Sequence, residues 1–153
     1  MGNVTPALGS RPLHAQLLHL HVRSVAEGSL EDVRWHATEL LIWRERRNDF
    51  KPEARSFTPV ALTGGPRFLF PDKKEHFTLA TSDHRRDRFR VGDKLPKQEE
   101  GKWAARIQAT HGGETIALGQ VEFSWSKDTG FRIIRVVSRP RPDAHGEMDR
   151  ARV

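Results

Sequence analysis

The stretch KWAARIQATHGGETIALGQVEFSWSKDTGFRIIRVVS, residues 102–138, alternates apolar and polar positions through three segments parted by two turn sequences. A repeat of two places successive side chains on opposite faces of an extended chain. Trp103, Ala105, Ile107 and Ala109 share one face of a first strand, and Lys102, Ala104, Arg106, Gln108 and Thr110 share the other. His111-Gly112-Gly113-Glu114 then turns the chain. Ala117, Gly119, Val121, Phe123 and Trp125 continue on one face of a second strand, alternating with Ile116, Leu118, Gln120, Glu122 and Ser124. Lys127-Asp128-Thr129-Gly130 suits a turn closed by a left-handed glycine. In the returning strand, strict alternation puts Phe131, Ile133, Arg135 and Val137 on one side and Arg132, Ile134 and Val136 on the other. These segments predict a three-stranded antiparallel meander.

Towards the N-terminus the spacing changes. Residues 1–11 have little periodicity and are expected to form a flexible arm before a single domain over 12–139, with 140–153 as a flexible basic and polar tail. Ser10 and Pro12 fit a helix start, and Leu13, Leu17, Leu20 and Val25 follow at helical spacing up to Gly28. Ser29 and Asp32 resemble a capping box, after which Leu30, Val33, Ala37, Leu40 and Leu41 follow an i, i+3, i+4 pattern. This reading gives two N-terminal helices. Residues 38–46 also alternate and fit a strand equally well, while Arg44, Arg46 and Arg47 would suit a helix C-terminus. Beyond Pro52 the punctuation is Pro and Gly, and strands are expected at 57–62, 67–70, 76–81 and 89–95. The expected fold class is therefore α+β: N-terminal helices packed on a curved, mainly antiparallel sheet ending in the meander.

Composition narrows the chemistry. The 153 residues contain no Cys and no Tyr, which excludes disulfides, thiolate metal sites, cysteine nucleophiles and phenol chemistry. No apolar run reaches the length of a membrane-spanning helix and no secretory leader pattern opens the chain, so an intracellular, cytoplasmic protein without membrane association is expected. Lys and Arg number 26 against 20 Asp and Glu, a net charge of +6. Such a balance suits a protein that meets polyanions. Arginine, which grips phosphate through a planar fork, dominates the basic residues.

Two arginine groups are candidate polyanion-binding residues. Arg85, Arg86, Arg88 and Arg90 crowd a connection beside Phe89, although Asp83 and Asp87 partly neutralise them. Arg132, Arg139 and Arg141, with Arg135 among them, run to Pro142 without an intervening acid. Arg135 also has carboxylate candidates across the sheet in Glu122 and Glu114. Trp103 and Trp125 belong to the core face, whereas Trp35 and Trp43 fall off the principal apolar stripe of the second helix and are candidates for a protein interface. His14, His19 and His21 on the first helix have spacings unsuited to one metal ion, and no metal site or cofactor is expected. No phosphate-binding glycine loop, nucleophile triad or paired acid is present, which argues against catalysis.

The order of elements over residues 13–139 is similar to NTF2-like cone folds, in which helices cover a bent sheet. That resemblance implies either an assembly protein or an enzyme or carrier with a small-molecule pocket between helices and sheet. The residues themselves favour a noncatalytic binding or assembly protein that engages RNA, DNA or an acidic protein surface, alone or within a larger complex, through its basic C-terminal strand and tail.

Overall fold

Leu18, Leu20 and Val22 are almost wholly buried while Leu17, between Gln16 and Leu18, is 40% exposed. This period of two makes Gln16–Ser24 a strand, β1, in the computed structural model of the protein. The structure describes residues 16–24, 27–43, 52–55, 59–71, 73–83, 88–96, 98–139 and 146–153. The remaining strands are β2 (Arg34–Trp43), β3 (Pro52–Arg55), β4 (Val60–Ala61), β5 (Lys74–Ser82), β6 (Phe89–Val91), β7 (Gly101–His111), β8 (Glu114–Ser126), β9 (Gly130–Arg139) and β10 (Gly146–Arg152).

Both expected helices are corrected by this finding. There is no helix among the described residues, and the fold is all-β: two antiparallel sheets rather than helices on one sheet. The NTF2-like resemblance fails with them, because its cone requires covering helices. In β2 the apolar positions step from Trp35 and Ala37 to Leu40 and Ile42. A β-bulge at Thr38 makes that step, since Ala37 pairs with Ile107 and Glu39 with Arg106. The resulting three-residue interval imitates a helical repeat. The alternative of a strand over 38–46 holds for its described part, Thr38 to Trp43. Residues 44–46, like the arm at 1–11, lie outside the described residues.

One sheet has the order β10-β1-β5-β6, the other β3-β2-β7-β8-β9, with β4 added on β2. The expected meander is β7-β8-β9. Its tight turn has Gly112 at φ 58° and Gly113 at φ 83°, and Gly130 closes the next turn at φ 70°, conformations that suit glycine. Residues 146–152, part of the expected tail, instead form β10 on the free side of β1.

The two sheets enclose one core. Phe89 is ringed by Trp103, Phe123, Trp125 and Phe131, with centroids 4.9–6.1 Å away. Trp35 packs on Phe77 and donates its indole N–H to the Pro66 carbonyl at 2.9 Å. Gly65 permits this approach, because a methyl group there would overlap the Trp35 side chain. Gly119 plays the same part on β8, where an added methyl would overlap Met148 of β10. β9 and β10 lie side by side, and Ile133, Val136, Met148 and Ala151 pack into the common interior.

The short strand β6 is tied down on its outer side. The Phe89 N–H donates to Gln98 Oε1 at 2.7 Å, and Gln98 Nε2 donates to the Phe89 carbonyl at 3.1 Å. Val91 and Lys94 exchange backbone hydrogen bonds of 2.9 and 3.0 Å. No described helix is long and apolar enough to cross a membrane.

Candidate polyanion-binding face

A second bulge decides where the arginines of β9 point. Phe123 pairs with Ile133 but Glu122 pairs with Arg135, leaving Ile134 as the extra residue. Counting inward and outward positions across that bulge brings Arg132 and Arg135 to the same, outward face and sends Val136 inward. This corrects strict alternation, which separates the two arginines. Arg139 takes the register position opposite Leu118.

The outward face of β8 holds Glu122, whose side chain is 1% exposed. Arg135 Nε donates to its Oε2, a cross-strand pair that the bulge brings onto one face, and Lys102 Nζ lies 3.3 Å from Oε1. Burial acts to raise the Glu122 pKa, but hydrogen bonding and charge from Arg135 and Lys102 outweigh it and hold the carboxyl below its ordinary value. Lys102 also sits 4.4 Å from the Trp43 ring centroid, a cation–π contact. Arg106 and Glu39 pair at 2.7 Å on the same face. Most of this face's charge is thus balanced internally, and Arg132 is its exposed arginine without a carboxylate partner among the described residues.

On the four-stranded sheet the balance differs. β1 aligns His19 and His21 outward, β5 supplies His76 opposite His21, and β10 supplies Arg150 opposite His21 and Arg152 opposite His19. The His19 and His76 rings meet edge-on at 5.5 Å, and His21 and His76 lie nearly parallel at 5.3 Å. Burial lowers the pKa of both His19 and His21; the neighbouring charges of His76 and Arg152 lower His19 further, and Arg150, Arg152 and His76 lower His21 further. Arg150 and Arg152 are exposed and have no carboxylate within 4 Å among the described residues. The nearby acids are engaged elsewhere: Glu147 with Arg23 at 2.7 Å, and Asp149 with Lys74 at 4.0 Å.

The other candidates separate. Arg88 is half-exposed beside Asp83 at 3.6 Å, and Arg90 is exposed on β6 with an N–H donated to the Asp93 carbonyl at 3.4 Å. Together with Thr81 and Asp83 they line a hollow of about 240 Å³. Arg85, Arg86 and Arg141 lie outside the described residues, as does His14. Trp35, 2% exposed, is a core residue with no surface for another chain; Trp43 is half-buried under Lys102. Among the described residues no group of three His, Asp or Glu is placed to hold a metal ion. Among the described residues there is no helix to form the expected pocket between helices and sheet. A broad groove of about 720 Å³ lies between β4 and β5 instead, with His19, His76 and Thr78 on one wall and Val60 and Leu62 on the other.

Sequence reasoning passed over Arg150, Arg152 and His76. The signal was present in Met148, Arg150, Ala151 and Arg152, but the extra residue Asp149 breaks the alternation of β10 and makes it resemble a tail. Compared with family models, with curated proteins and with solved structures, the chain has no match.

Proposed function

We propose that this chain is a noncatalytic binding protein that engages a phosphate-bearing polyanion through its C-terminal strands β9 and β10. The observation that carries this reading is the exposed pair Arg150 and Arg152, free of carboxylate partners among the described residues and set against His19, His21 and His76. Arg132 adds a further exposed arginine, on the outward face of the six-stranded sheet. Guanidinium groups bind phosphate oxygens in a bidentate way, and charged contacts of this kind release counterions, so affinity falls steeply with salt.

Fluorescence anisotropy with labelled RNA and DNA across a salt series tests the reading, with an acidic peptide as control. Reversing both charges, Arg150→Glu with Arg152→Glu, is expected to weaken binding roughly tenfold or more at low salt and to reduce the log–log salt slope by about two. Both side chains are exposed, so thermal unfolding should change little. Undiminished affinity in the double variant, or no binding by the wild type at low salt, overturns the proposal.

A further inference from the structure

We infer that Phe68 and Phe70 form a base-stacking platform, which makes the polyanion a single-stranded nucleic acid; this rests on the polyanion reading above. Leu69 is 2% exposed and exchanges two 2.9 Å backbone hydrogen bonds with Leu30. That anchor turns its neighbours outward: Phe68 is 49% and Phe70 41% exposed. The two rings are inclined by only 17° with centroids 6.2 Å apart.

Cations surround this apolar pair. Lys73 Nζ lies 5.3 Å from the Phe70 ring centroid, and the side chain of Arg67, next to Phe68, is 70% exposed. Arg67 has Asp32 at 3.4 Å and Lys73 has Glu75 at 3.5 Å, but exposed ion pairs are weak and a phosphate competes for either cation. Pro71 bridges to Ser24 at the end of β1, so the platform adjoins the end of the four-stranded sheet that carries Arg23 and Lys74. Basic groups that follow a backbone, beside aromatic rings that receive bases, are the chemistry of single-strand recognition.

The spacing selects the strand form. A centroid distance of 6.2 Å is nearly twice the ~3.4 Å rise per nucleotide of a stacked strand. Bases seated one on each ring must therefore be drawn apart from each other, which an unpaired strand allows and a duplex does not.

The test compares three labelled probes by anisotropy: a twelve-nucleotide oligouridylate, the abasic sugar–phosphate strand of the same length, and duplex RNA of that length. Wild-type protein is expected to bind the oligouridylate at least about 30-fold more tightly than the abasic strand, two base–aromatic stacks worth about 5- to 150-fold each. Phe68→Ala with Phe70→Ala should erase that ratio in a protein that still unfolds cooperatively and still binds the abasic strand, and Phe68→Tyr with Phe70→Tyr should preserve it. Equal wild-type affinity for the two strands overturns the platform and leaves the polyanion reading standing; binding to none of the three probes overturns both. Tighter binding of the duplex, or a ratio that survives in the double alanine variant, also overturns the platform.

Discussion

Glu122 is a buried carboxylate on the outward face of a sheet, held by Lys102 from one neighbouring strand and Arg135 from the other. Its two partners remain partly exposed, with side chains 38% and 65% accessible. Replacing the acid leaves those cations able to reach water, so Glu122→Gln is expected to destabilise the fold by about 1–3 kcal/mol, the range for breaking a hydrogen-bonded buried group, and less than a wholly buried pair would lose. The pH dependence has a definite sign. The folded carboxyl titrates below its ordinary value, so its stabilisation is complete above the unfolded carboxyl pKa and disappears as pH falls through the folded one. Chemical denaturation at pH 7 and pH 3 should show a wild-type advantage at the first that shrinks at the second; an equal difference at both would refute the role. Glu122 was named in the sequence as a possible partner of Arg135, but strict alternation put the two on opposite faces, and only the bulge at Ile134 brings them together. The burial of Glu122 was not legible, because an acid opposite a core-facing position reads as solvated until its covering neighbours are known.

Bulges decide what could be read from the elements. β7 and most of β8 alternate without interruption over 102–109 and 117–125, and there the sequence pattern assigns the core face correctly. In β2 the extra Thr38 displaces the inward repeat from odd to even positions, and in β9 the extra Ile134 does the same. β1 contains no extra residue, yet the cluster Leu17, Leu18 and Leu20 offers a helical and an extended repeat at once, and only burial separates them. The bulge in β9 leads to a contrast between two deletions. Removing Ile134 restores simple alternation, keeps Phe131, Ile133 and Val136 inward and Arg132 and Arg135 outward, and should leave a cooperative unfolding transition. Removing Gln120, a regularly paired residue of β8, shifts one side of that strand by a residue and exchanges its faces, which should abolish cooperative folding. Thermal unfolding followed by circular dichroism distinguishes them; failure of the Ile134 deletion to fold would contradict the assigned register.

At the scale of the whole molecule, the sheets meet where β10 presses Met148 onto Gly119 of β8. No local pattern announces this contact, because it joins segments brought together only by the topology. Gly119→Ala is expected to destabilise by about 1–3 kcal/mol through overpacking, and Met148→Ala by about 2–5 kcal/mol through lost packing. If Met148 is the obstacle, the two effects should fall short of additivity in a double-mutant cycle measured by denaturant titration. Additive effects would show that the Val137 carbonyl, 3.0 Å from the added methyl, is the tighter neighbour. The same topology explains the partial legibility of the basic face: the arginines were visible as residues, but pairing β10 with β1 is what places Arg150 and Arg152 beside histidines more than a hundred positions away.

The outer side of β6 bears on how copies of the molecule meet. Growth of a continuous sheet from one molecule into the next needs unsatisfied N–H and C=O groups along a border strand. At Phe89 those groups are held by the Gln98 amide, and at Val91 by the backbone of Lys94. A side chain and a reverse turn thus stand in for the missing neighbour, and at this border the chain closes itself against filament formation.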